Sequence, residues 1–234
     1  RDRYDADARS GVQKLIASYR KKEEALRLER ERLSLMKSYE RKYKDAEMIC
    51  GIDEAGRGPL AGPVAAACVI FPAQGPFVRG ADDSKKLSEK RREALYEEIR
   101  ASCISYGVSM VGNDRIDEIN ILQATYEAMR EALRIAIAAA GEAPERLLVD
   151  HVRIPQVELP QVSITHGDAK SITIACASIL AKVERDRLMR QYDAKYPEYG
   201  FAKHKGYGTA QHYDAINRYG PCALHRRTFL KGRG

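Results

Sequence analysis

Apolar positions along the 234-residue chain fall into two textures. Across residues 10–45, Val12, Leu15, Ile16, Tyr19, Leu26, Leu33, Met36 and Tyr43 recur at close to helical spacing in a background of Lys, Arg and Glu, with gaps at Lys22 and Glu29. A helix repeats its apolar face every three or four residues, so this stretch predicts a long helix or helical hairpin outside the main body. From residue 49 the pattern shortens to compact apolar runs at 49–52, 64–71, 104–111 and 147–149, each strand-sized and several rich in β-branched residues. Helical composition occupies 88–101, 121–140, 171–196 and 209–219. Ser88 is placed as an N-cap, Gly141 with Pro144 stops the second stretch, Pro197 ends the third, and Gly220 with Pro221 ends the fourth.

Strands come first and helices take over later, which predicts an α/β fold. A mixed β-sheet flanked by helices carries a helical C-terminal portion and an N-terminal helical extension. The expected division is 1–48 as a basic extension, 49–195 as the main domain and 196–234 as a C-terminal helical portion packed on it.

Charge follows the same division. Residues 1–48 hold 14 Lys and Arg against 10 Asp and Glu, residues 49–194 hold 18 against 21, and residues 195–234 hold 8 against 2. Basic flanks around a mildly acidic middle suit a protein that grips a polyanion while keeping carboxylates at its centre. The five cysteines are odd in number and spread along the chain, mostly within apolar runs, which reads as reduced thiols rather than a disulfide framework or zinc site. No apolar run approaches the ~20 residues that span a bilayer, and no charged-then-apolar leader opens the chain. A cytoplasmic monomer with no membrane partner is the expectation.

The densest chemistry lies at Gly51-Ile52-Asp53-Glu54-Ala55-Gly56-Arg57-Gly58-Pro59, where an apolar strand ends in two adjacent carboxylates and breaks into a glycine-rich turn. Buried acids need a partner, and a hard divalent cation with oxygen ligands supplies one. Asp150 closes the run 147–149, and Asp168 precedes the helical stretch from 171. Acids gathered at one sheet edge are what a two-metal phosphodiester hydrolase requires. Successive strand residues face opposite sides, so Asp53 and Glu54 share such a site only if the strand ends or twists there. Gly56 and Gly58 around Arg57 let main-chain N–H groups approach a phosphate or sugar. Lys85 and Lys86 before one helix, Lys203 and Lys205 before another, and Tyr207 between two glycines supply phosphate-binding and stacking groups.

Together these segments resemble the type 2 ribonuclease H family, ribonuclease HII, over about residues 49–230. The matching stretches are Gly-Ile-Asp-Glu-Ala-Gly-Arg-Gly-Pro-Leu-Ala-Gly-Pro at 51–63, Asp-Ser-Lys-Lys-Leu at 83–87 and Val-Asp at 149–150. Gly-Asp-Ala-Lys-Ser at 167–171, Ala-Ser-Ile-Leu-Ala-Lys-Val-Glu-Arg-Asp at 177–186 and His-Lys-Gly-Tyr-Gly-Thr at 204–209 complete the set. The resemblance implies a ribonuclease H-like catalytic domain in which Asp53, Glu54, Asp150 and Asp168 hold two Mg²⁺ or Mn²⁺ ions. It implies that Gly56, Arg57, Gly58 and Tyr207 read the ribonucleotide 2′-hydroxyl, and that Lys85, Lys86 and Lys170 contact phosphates. The implied substrates are RNA/DNA hybrids and duplex DNA containing ribonucleotides, cut 5′ of the ribonucleotide to leave 3′-hydroxyl and 5′-phosphate ends. Asp186 suits a structural ion pair with its basic neighbours equally well. Two alternatives are a nuclease of the wider ribonuclease H-like group that reads DNA alone, and a binding module without catalysis. The extension lies outside these motifs. Its basic residues are expected to strengthen hybrid binding, so that deleting 1–45 weakens affinity without abolishing cleavage.

Overall fold

The computed structural model describes residues 9–43, 45–75 and 78–230. Its centre is a five-stranded sheet built from β1 (Met48–Ala55), β2 (Val64–Pro72), β3 (Ser105–Val111), β4 (Arg146–Asp150) and β5 (Gln161–Ile164), in the order β3-β2-β1-β4-β5. β1 runs antiparallel to β2 and parallel to β4, so the sheet is mixed. Helices cover both faces, which is why β1 and β2 read as unbroken apolar runs rather than as alternating strands.

On one face Cys50, Ile52, Ala66, Cys68 and Ile70 pack against α4 (Asn113–Ala140). On the other, Ala67, Val69 and Phe71 pack against α3 (Glu89–Ser102) and α5 (Ile172–Lys195). Two glycines let helices reach the sheet backbone. A Cβ at Gly51 would collide with the carbonyl of Thr173, and one at Gly107 with the carbonyl oxygen of Ala132. The C-terminal helices α6 (Phe201–His204), α7 (Ala210–Tyr219) and α8 (Arg227–Leu230) follow. Around α6 and α7, Met189, Tyr199, Phe201 and Ala215 form a small core with Ala61.

The N-terminal extension folds as α1 (Ser10–Met36) and the short α2 (Ser38–Arg41). Most of α1 is solvated: Leu15, Tyr19, Leu26 and Leu28 are exposed, and only Met36 is buried. Pairs such as Arg27 with Glu24 and Glu31 support its surface. The predicted strands and helices appear, with differences. β5 and the short α6 and α8 were not placed beforehand, and α4 starts at Asn113 rather than 121. Asn120 (φ 69°, ψ 164°) breaks that helix, its Oδ1 accepting from the amides of Leu122 and Gln123 and so capping a fresh start at 121. Among the described residues, no helix is long and apolar enough to cross a membrane.

Candidate active site

β1 pairs with β2 along its whole length, through Ala55 against Ala65, but its pairing with β4 ends at Ile52 against Val149. Asp53 and Glu54 therefore lie inside one ladder and just beyond the other, where the sheet opens. The strand neither ends nor breaks at the two acids. Asp150, one residue past Val149, comes up beside Asp53 on the neighbouring strand. Asp168 sits in a single 3₁₀ turn, Gly167–Ala169, that leads into α5. That turn is tied to β4 by the amide of Gly167, which donates to Asp150 Oδ1 at 2.6 Å. Four acids from three separate segments of the chain thus share one corner.

Electrostatics mark the corner as unusual. Burial, then the charges of Glu54 and Asp150, push the Asp53 carboxyl well above the usual carboxylate range. Burial raises Glu54 as well, with Arg57, whose Nη1 lies 3.4 Å from Glu54 Oε1, pulling the other way. Asp168 is raised by burial and by Asp83 and Asp150, offset by Lys85, whose Nζ is 3.9 Å away. Burial works against the Lys85 charge, but Asp168, Asp83, Asp53 and Asp150 hold it above its ordinary value. Clustered carboxylates short of positive charge, with oxygen-only donors, fit a hard divalent cation. Among the described residues no three such side chains converge tightly enough to enclose an ion. Asp53 Oδ1 accepts from the Glu54 amide and Asp150 Oδ1 from Gly167, so both acids are turned toward backbone donors.

A cleft of about 570 Å³ opens beside Glu54, lined by Gly56, Arg57, Gly58, Ser84, Lys85, Ser178 and Tyr207 among others. The Tyr207 ring stands next to Gly58 and is 44% exposed, so it is available to a ligand. Of the expected lysines only Lys85 lines this cleft. Lys86 Nζ lies 3.6 Å from Asp82, and Lys170 Nζ donates to the Thr165 carbonyl at 2.7 Å. Asp186 makes ion pairs, though with Lys182 at 2.6 Å and Arg92 at 3.7 Å rather than with its sequence neighbours.

Against this geometry stand the comparisons with known proteins. The family model for ribonuclease HII matches residues 50–231, and that for the ribonuclease HII N-terminal domain matches residues 2–44. Ribonuclease HII of Lachnoclostridium phytofermentans is 53% identical over 231 residues, covering 99% of this chain and 89% of that protein. The chain belongs to the ribonuclease HII family. As a ribonuclease HII family member it is an enzyme, an endoribonuclease of the ribonuclease H type. The crystal structure of ribonuclease H2 from Pyrococcus horikoshii OT3 superposes with a TM-score of 0.63 at 27% identity, over 80% of this chain and 95% of that one. Bst-RNase HIII, solved in complex with Mn²⁺, shares the fold at a TM-score of 0.58 and 15% identity, over 74% and 63% of the two chains. The ribonuclease H-like sheet is thereby established.

Sequence reasoning passed over several residues at this ribonuclease HII corner. Asp83 lies close enough to Asp168 to raise its carboxyl. Ser178 of α5 works against the rise at Asp53 and meets Ser84 Oγ at 2.9 Å, linking α5 to the 83–87 loop beside β1. Their signal was present, since Asp83, Ser84 and Ser178 all lie inside the motif stretches, but small hydroxyls and turn acids have ordinary explanations elsewhere.

Proposed function

We propose that this enzyme hydrolyses the RNA strand of RNA/DNA hybrids and incises duplex DNA on the 5′ side of a single embedded ribonucleotide, leaving 3′-hydroxyl and 5′-phosphate ends. The observation that carries this reading is the adjacency, along one cleft, of the buried acid corner and the Gly56-Arg57-Gly58 turn facing Tyr207. Asp53, Glu54, Asp150 and Asp168 would hold two Mg²⁺ or Mn²⁺ ions, in keeping with the Mn²⁺ complex of Bst-RNase HIII. Ions bound there supply an activated water and stabilise the leaving oxygen.

The chain's own groups do the rest. Arg57 and Lys85 place positive charge at the mouth of the cleft for backbone phosphates. The 2′-hydroxyl is the group that separates RNA from DNA at a given sugar, and a glycine turn beside an exposed tyrosine can meet it closely. The C-terminal portion 196–234 carries Tyr207 to the cleft, the domain 49–195 carries the acids, and the basic extension 1–48 adds affinity for the polyanion. Lys86 and Lys170 lie off the cleft and would reach phosphates farther along the duplex.

The test is cleavage of a labelled duplex carrying one ribonucleotide by wild type and Asp53→Asn, beside an all-DNA control and with Mg²⁺, Mn²⁺ or chelator. The reading expects a metal-dependent cut 5′ to the ribonucleotide, lost in the variant. Equal cutting of the all-DNA control would replace it with a DNA nuclease.

A further inference from the structure

Two of the largest fully buried side chains are arginines, Arg185 and Arg226, exposed by 1% and 0%. Buried guanidinium groups ordinarily face a carboxylate, because an unpaired charge in the interior is costly. Neither of these makes an ion pair with one among the described residues; all six of their hydrogen bonds go to backbone carbonyls. Arg226 donates from Nη2 to Gly56 O at 2.6 Å, from Nη1 to Arg57 O at 2.8 Å and from Nε to Gly62 O at 3.0 Å. Arg185 donates to Pro63 O at 2.8 Å, to Lys205 O at 2.9 Å and to Ala61 O at 3.2 Å. Their targets are the glycine turn, the loop behind it and the segment that carries Tyr207.

We infer that Arg226 and Arg185 are positioning residues for sugar recognition, a paired clamp that fixes the Gly56-Arg57-Gly58 turn against the Tyr207 loop with its amides facing the cleft. This rests on the reading of the turn as the ribose-sensing element. In a trans peptide the C=O and the following N–H point in opposite directions. Holding the carbonyls of Gly56 and Arg57 inward on Arg226 therefore turns the N–H groups of Arg57 and Gly58 outward, and no protein group among the described residues accepts from either.

Gly56 has φ +87°, and a Cβ there would overlap Nε and Cδ of Arg185, so the turn lies flat against the second guanidinium. Leu60 N donates to Gly206 O at 2.8 Å, and Arg226 N donates to Leu60 O at 2.8 Å, closing the frame between the turn, the Tyr207 loop and the C-terminal segment. That segment is anchored in turn by Asp117, which accepts from the amides of Arg227 and Thr228. Burial lowers Arg185 from its ordinary value, and burial with the like charge of Arg185 brings Arg226 down to about 9, which leaves Arg226 charged at neutral pH and adds positive potential behind the cleft. A planar fork reaches several carbonyls at fixed angles, which lysine cannot reproduce.

The test measures affinity in chelator, where no cleavage occurs, for a duplex with one embedded ribonucleotide and for the same duplex all in DNA. The variants are Arg226→Lys and Arg185→Lys, each with its melting temperature. Wild type should favour the ribonucleotide duplex. In Arg226→Lys that preference should fall by about tenfold, the scale of one charge-assisted hydrogen bond, with all-DNA affinity unchanged within about twofold. Arg185→Lys should move in the same direction, and serves alone if Arg226→Lys does not fold. An unchanged ratio in folded Arg226→Lys, or in folded Arg185→Lys where Arg226→Lys does not fold, overturns the clamp. No preference in wild type would instead overturn the ribose-sensing reading, and the clamp's role with it.

Discussion

The amide of Gly167 lies 2.6 Å from Asp150 Oδ1, so the turn that carries Asp168 is tied to the strand that carries Asp150. A methyl group at Gly167 would stand 2.6 Å from Ile174 Cδ1 and 3.2 Å from Asp150 Oδ1. The isoleucine tip can swing aside, whereas the carboxylate moves only by loosening that bond. Gly167→Ala is expected to lower kcat by about ten- to a hundredfold, the scale of a displacement below 1 Å, while costing little stability. Steady-state kinetics with thermal melts check this; unchanged kcat would show that the tie does not set the acid corner.

Asp53→Asn separates catalysis from stability. The free carboxyl titrates near ~3.9. In the folded chain, burial and then Glu54 and Asp150 raise it well above that. Below the unfolded value both states hold the proton and nothing is lost. As pH rises through the folded value the charge must be buried beside other acids, so stability falls with rising pH. In chelator, wild type should melt progressively lower from pH 5 to pH 8, and Asp53→Asn should flatten that slope. It should also melt higher at pH 8, by about 2–4 °C per kcal/mol relieved, while abolishing cleavage. Added Mg²⁺ or Mn²⁺ should restore wild type more than the variant. Parallel pH curves for the two proteins would remove Asp53 as the strained group.

Gly51→Ala tests the sheet rather than the site. A Cβ there meets backbone atoms of Thr173 and Ile174, which no rotamer change relieves. The substitution should destabilise by more than ~3 kcal/mol or prevent folding, through forced separation of β1 from the start of α5. Chemical denaturation gives the value, and a loss below about 1 kcal/mol would mean that the helix can retreat.

Legibility in the sequence followed burial and motif density. β1 through β4 showed as apolar runs because helices cover both faces; β5 did not, since Gln161 to Ser163 are polar or only half-buried and Ile164 alone is sealed at that edge. α5 has 14 buried residues and no single polar face, so its caps and composition revealed it where periodicity would not. Asp53, Glu54 and Asp150 stood out because charged residues closing apolar strands need an explanation, and Asp168 joined them from ahead of the helical stretch at 171. Arg185 and Arg226 did not, because their partners are carbonyls brought from up to 170 positions away, and nothing local in a sequence separates such an arginine from a solvated one. Glu40 was hidden for the same reason, inside what reads as a solvated charged helix.

Glu40 changes what deletion of the extension should do. It is 1% exposed, and its Oε1 accepts from Ser171 Oγ at 2.7 Å and from Thr173 N at 3.2 Å and Oγ1 at 3.1 Å, at the first turn of α5 directly after Asp168. Burial raises its carboxyl above the ordinary value, opposed by these donors. Met36 is likewise sealed into the core beneath α3 and α5. The extension therefore has two parts, a solvated α1 that bears half of its Lys and Arg and a docked end that caps the helix behind the acid corner. Removing residues 1–30 should weaken hybrid affinity and flatten its salt dependence while leaving the melting temperature within about 2 °C, since exposed pairs contribute little. Removing 1–45, or making Glu40→Ala, should cost about 1–3 kcal/mol of stability through the lost cap. It should also lower kcat by disturbing the turn at Asp168. Binding titrations across salt, melts and steady-state kinetics on the three proteins separate the parts. If the 1–30 deletion melts as low as the 1–45 deletion, α1 is not the free arm its exposure indicates.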